Sequence, residues 1–130
     1  MTIKKKILLI DDDKDFLFAT KLILEKGGYE IFMAEDGKTG VEMWKSITPD
    51  LAIIDMMMET WGEGFSVLSK IRATDTGKDT TLFMMSAVDL QGHYYAFEPP
   101  PEFPKVNKVL QKPIKASELL QLVAQELGGR

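Results

Sequence analysis

The stretch "LLIDDDKDF", residues 8–16, sets three consecutive aspartates, Asp11, Asp12 and Asp13, at the end of an apolar run covering residues 7–10. The run reads as a short buried strand, and like charges crowded at its end oppose stability. Two carboxylates about 4 Å apart repel by roughly 4 kcal/mol at an effective dielectric near 20. Something elsewhere in the chain, or bound to it, has to neutralise that charge.

Outward from this first strand, placed at 6–10, short apolar runs alternate with helical periodicity, the pattern of βαβ units and a parallel sheet. A helix is expected over 14–26, burying Phe16, Thr20, Ile23 and Leu24 and stopped by Gly27 and Gly28. Residues 29–34 form a second, partly polar strand suited to an edge, and a helix over 38–47 turns Val41 and Trp44 to one face. "LAIID", 51–55, is the most apolar strand and belongs at the centre. A helix over 64–72 follows, with Phe65, Leu68 and Ile71 inward, then a strand at 81–86. The stretch 88–105 carries four prolines and two tyrosines and allows only a short helix near 90–97. A fifth strand at 108–111 and a closing amphipathic helix over 116–127, with Leu119, Leu120, Val123 and Leu127, complete the chain. Five strands and about five helices in alternation give a doubly wound α/β domain, expected to be one domain over 1–130.

Composition narrows the function. The 130 residues are 45% hydrophobic and 28% charged, enough for one core and ordinary for a globular domain. A formal net charge of −4 does not recruit nucleic acid or an anionic membrane, so neither is expected as a direct partner. The absence of cysteine excludes disulfides and thiolate metal sites, and the single histidine, His93, speaks against a zinc site. The basic start at Lys4, Lys5 and Lys6 runs into aspartates too soon for a signal peptide, and no stretch spans a bilayer. A cytoplasmic location is the default.

In an open α/β sheet the site lies beyond the carboxyl ends of the strands. The residues at those ends here are Asp11 and Asp12, Asp55, Ser86 and Lys112. Carboxylates without soft ligands suit a hard cation, and Mg²⁺ takes one or two carboxylates together with water and phosphate oxygens. A carboxylate can also be the nucleophile that forms an aspartyl phosphate, and Asp55, ending the most buried strand, is best placed for it. Lys112 then neutralises phosphoryl charge and Ser86 donates a hydrogen bond. Asp13 is read differently, as a cap on the first helix.

The pieces "ILLIDDD", "PDLAIIDMMM", "FMMSA" and "LQKPI", in this order and each at an expected strand end, resemble the receiver domains of bacterial two-component response regulators. The resemblance implies a flavodoxin-like sheet in strand order 2-1-3-4-5, Mg²⁺ held by Asp11, Asp12, Asp55 and the backbone carbonyl of Met57, and phosphorylation on Asp55. It implies Ser86 and Lys112 as the hydroxyl and lysine of the site, with a cis Lys112–Pro113 bond. The implied donor is a phosphohistidine on a sensor kinase or phosphotransfer protein, and the implied readout is a downstream protein effector.

Three departures qualify the resemblance. Glu59 stands where such domains carry proline, with the loop "ETWGEG", 59–64, about one residue longer. Val109 takes the place of an aromatic three residues before the lysine. The proline-rich stretch "EPPPEFP", 98–104, makes the fourth-helix region atypical. "GKT", 37–39, is no phosphate loop, since Phe32 stands where that pattern needs glycine. The expected function is a phospho-accepting switch without an output domain of its own, and not an enzyme in the ordinary sense. The alternative is a receiver-fold interaction module that is not phosphorylated. A phosphohydrolase ranks last, because Met57 occupies the position where an acid is needed.

Overall fold

The structure, a computed structural model, describes residues 3–56, 63–87 and 104–127. Its strands are β1 (Lys6–Ile10), β2 (Glu30–Ala34), β3 (Leu51–Asp55), β4 (Thr81–Ala87) and β5 (Lys108–Lys112). Between and after them lie the helices α1 (Lys14–Lys26), α2 (Gly37–Ile47), α3 (Glu63–Arg72) and α4 (Ala116–Leu127). The strands form one parallel sheet in the order β2-β1-β3-β4-β5.

Successive side chains along a strand point to opposite faces, so a sheet covered on both sides needs nearly continuous apolar strands. β3 meets that condition with every residue buried, and it occupies the centre. β2, with only Ala34 buried, takes an edge as its polarity suggests. One face of the sheet presents Leu8, Ile10, Ala52, Ile54, Leu82 and Met84 to Val41 and Trp44 of α2 and Val67, Leu68 and Ile71 of α3. The other presents Ile7, Leu9, Leu51, Ile53, Phe83 and Met85 to Leu17 and Leu24 of α1 and Leu119 and Val123 of α4.

Local chemistry sets the helix ends. The Asp13 carboxylate accepts from the Phe16 N–H at 3.1 Å, and the Asp36 carboxylate from the Thr39 N–H at 2.7 Å, so each caps the helix it precedes. Gly28, at φ +94°, turns the chain out of α1 in a left-handed conformation that a side chain would oppose.

Two packing expectations need correction. Phe65 is 41% exposed instead of inward, because Val67 joins Leu68 and Ile71 in occupying the buried face of α3. Phe16 and Ile23 are only half-buried, and Leu17 takes the core position beside Thr20 and Leu24. Both slips have the same origin: spacings of three and four leave the phase of a helix open by one residue. The expected short helix at 90–97 lies outside the described residues, which contain four helices.

Candidate functional site at the carboxyl edge of the sheet

The backbone ladder runs slightly past the strands and holds the site residues rigidly. Asp11 donates its N–H to Ala34 O at 3.1 Å, and Met56, just after Asp55, donates to Met85 O at 2.9 Å. Asp55 pairs with Met85, Ser86 with Gln111, and Ala87 with Lys112, so the ends of β1, β3, β4 and β5 come level at one edge. The Lys112–Pro113 bond is cis, as the resemblance implies.

At that edge oxygen atoms of Asp11, Asp12 and Asp55 lie within 4.8 Å of one another. Asp11 and Asp55 are buried, whereas Asp12 is exposed. Lys112 Nζ reaches across 101 positions of sequence to Asp11 Oδ2 at 2.7 Å, a charge-assisted hydrogen bond, and stands 3.6 Å from Asp55 Oδ2. The other oxygen of Asp11, Oδ1, accepts the Asp13 N–H at 2.9 Å. Asp13 itself is occupied with its capping bond, which explains why the third acid of the run stays out of the cluster. Three carboxylates against one ammonium leave the site net negative. Oxygen donors alone, close together and under-compensated, fit a hard divalent cation in the manner of Mg²⁺.

Ser86 is half-buried one residue beyond the partner of Asp55 in the sheet register. Met57 lies outside the described residues. Val109, three residues before Lys112, is 37% exposed and alternates with the buried Leu110.

Two contributors escape a reading of the sequence alone. The ring of Phe16 lies beneath Lys112, with Nζ 4.3 Å from its centroid. Gly64, at the start of α3, packs so closely on the backbone of Asp55 and Met56 that a Cβ there would fall 2.8 Å from Met56 Cα, inside van der Waals contact. The adjoining Glu63 carboxylate accepts the Gly37 N–H at 3.0 Å, tying the start of α3 to the start of α2. The only hint in the sequence is the closeness of Phe16 to the acidic run and of Gly64 to Asp55.

The fold and the acidic edge define a class, and comparison with known proteins agrees with it. A model described as the response regulator receiver domain matches residues 7–124, and the chain belongs to that family. It is 29% identical over 119 residues to a DNA-binding dual master transcriptional regulator, RpaA, of Synechocystis, covering 91% of this chain and 47% of that protein. It is 30% identical over 84 residues to the response regulator MprA of Mycolicibacterium vanbaalenii, covering 65% of this chain and 35% of that one. The chain therefore spans less than half the length of these relatives. Among solved structures, the receiver domain of a sensor histidine kinase from Pseudomonas aeruginosa, described with a magnesium ion coordinated in its active site cleft, superposes with a TM-score of 0.80. That match is 24% identical and covers 98% of this chain and 100% of the other. The chemotaxis protein CheY4 of Vibrio cholerae gives 0.78 at 22% identity, over 95% and 98% of the two chains.

Receiver domains of two-component systems are signalling switches that interact with histidine kinases and effectors, and they bind Mg²⁺ at an acidic pocket. The expectation that this chain avoids nucleic acid gains no support from relatives that include a DNA-binding regulator. No helix among the described residues is long and apolar enough to cross a membrane.

Proposed function

We propose that the chain is a single receiver domain that accepts a phosphoryl group on Asp55 from a phosphohistidine of a partner kinase or phosphotransfer protein. The observation that carries this reading is the meeting of Asp11, Asp12 and Asp55 oxygens within 4.8 Å, with Lys112 Nζ between Asp11 and Asp55. An Asp55 carboxylate oxygen attacks phosphorus, forming an O–P bond as the P–N bond to the donor imidazole breaks and its electron pair returns to that nitrogen. Asp11, Asp12 and Asp55, together with the Met57 carbonyl that the family resemblance implies, would hold Mg²⁺, which would supply neutralising charge for the phosphoryl oxygens.

The chain's own groups do the rest. Lys112 trades Asp11 for a phosphoryl oxygen, as a compact cation only 3.6 Å from Asp55 can do. Ser86 turns its hydroxyl towards the new charged acceptor, and the resulting change alters a surface read by a downstream protein effector. This takes place in the cytoplasm, where such kinases present their phosphohistidine.

The test is incubation of the chain with acetyl phosphate and Mg²⁺, followed by intact mass. A single added phosphate, stable in acid and labile in base, is the expected result. Absence of label under conditions that load another receiver would leave a non-phosphorylated interaction module as the better description.

A further inference from the structure

Four contacts close a ring around the buried end of β1. Asp11 Oδ1 accepts the Asp13 N–H at 2.9 Å, and Asp13 Oδ1 accepts the Phe16 N–H at 3.1 Å. The Phe16 ring lies 4.3 Å from Lys112 Nζ, and Nζ returns to Asp11 Oδ2 at 2.7 Å. The cap on α1 thus does more than begin a helix. It fixes the residue whose ring supports the only cation paired with the acidic cluster among the described residues.

Phe16 is a poor candidate for a purely apolar role. Leu17, Thr20 and Leu24 supply the fully buried face of α1, while Phe16 is half-buried at the margin of that core and faces the site. An aromatic face attracts an ammonium without demanding a particular donor direction. Nζ can therefore turn from Asp11 towards Asp55 while keeping the ring beneath it, a motion that a directional hydrogen-bond acceptor in the same place would resist.

We propose that Phe16 is a positioning residue for Lys112: its ring face holds the ammonium between Asp11 and Asp55 and supports its transfer to the phosphoryl group. This rests on the phosphoacceptor reading for its kinetic consequence, but the contact itself can be read without phosphate or metal.

The experiment compares the full chain with Phe16→Leu, which keeps apolar bulk without a ring, and Phe16→Tyr, which keeps the ring face. Labelling of Asp55 by acetyl phosphate at saturating Mg²⁺ breaks the donor P–O bond, and acetate leaves with the electron pair. Phe16→Leu is expected to slow this step about fivefold, and Phe16→Tyr to restore it to within about twofold of the parent. In Mg²⁺-free protein, proton–carbon NMR should show the Lys112 ε-methylene shifted upfield by the ring in the parent and in Phe16→Tyr, and returned to its ordinary position in Phe16→Leu. Labelling as fast in Phe16→Leu as in the parent, or equally slow in both variants, overturns the proposal. So does an ε-methylene shift unchanged in Phe16→Leu. A parent that takes no phosphate overturns the phosphoacceptor reading together with the kinetic claim, while the NMR shift still reports separately on the ring contact.

Discussion

The two edges of the sheet treat charge in opposite ways. At the carboxyl edge three aspartates cluster, two of them, Asp11 and Asp55, share Lys112, and Asp12 remains exposed to solvent. At the amino edge the guanidinium of Arg72, at the end of α3, donates to neutral acceptors. Its Nε donates to Lys105 O at 2.9 Å, and one terminal nitrogen to Gly77 O at 2.9 Å, Lys78 O at 3.2 Å and Thr80 O at 2.6 Å. The other reaches Asn107 Oδ1 at 3.3 Å, which also accepts the Leu82 N–H at 2.8 Å. Burial holds the guanidinium somewhat below its usual basicity, opposed by the charge of Asp79, yet it stays protonated throughout the physiological range.

The difference separates chemistry from support. A planar fork whose donors are taken by backbone carbonyls and the Asn107 side chain has one arrangement, and it pins the loop before β4 to the chain entering β5. Carboxylates in excess over their cation have several arrangements and can accept a metal or a phosphoryl group. Under the proposed function, the under-compensated edge is where a ligand changes something, and the hydrogen-bonded Arg72 edge keeps the strands level while it does.

The sharpest break between the edges comes from Asp55→Asn. Labelling by acetyl phosphate should fall to background, with the circular dichroism and cooperative melting of the parent retained. A variant that still takes one phosphate on another residue would move the chemistry away from Asp55. Next in size is Arg72→Ala, expected to cost about 3 kcal/mol through several lost charge-assisted bonds, and so roughly 10 °C in Tm. Labelling per folded molecule should be unchanged at low temperature; a matching loss of both would mean that the two edges are coupled.

Removal of a carboxylate from the acidic edge should act in the opposite sense on stability. Asp12→Ala is expected to weaken Mg²⁺ about tenfold or more by calorimetry and to raise the metal-free Tm slightly, because like charge is relieved. A fall in metal-free Tm would show that Asp12 supports the fold as well. The smallest effect is expected at Asp36, an acid at the same edge whose charge is already satisfied. Hydrogen bonds from the Thr39 backbone and then the Thr39 side chain hold its carboxyl below the usual carboxylate range. Its contribution is therefore present above the ordinary carboxylate value and lost as pH falls through the lowered one. Asp36→Asn should leave the melt at neutral pH nearly unchanged and flatten the acid limb a little, which melts between pH 5 and about pH 2 can resolve.

Much of this protein was legible in one dimension. Continuous apolar runs such as "LAIID" can be satisfied only by burial on both faces, so the order of strands and helices follows from the alternation of periods. The placing of Asp11, Asp55, Ser86 and Lys112 at strand ends follows as well, since a strand stops where apolar burial stops. What periodicity cannot supply is phase and approach. Whether Phe16 or Leu17 enters the core differs by one residue of rotation about α1, and packing against the sheet settles it. The fork of Arg72 over Lys105 and Asn107, 33 and 35 positions away, and the Lys112–Asp11 bond join segments remote in sequence, and Gly64 closes on the backbone after β3 only once α3 has packed. Distances between such segments exist only once both faces of the sheet are covered, because the helices set how near one strand end lies to the next.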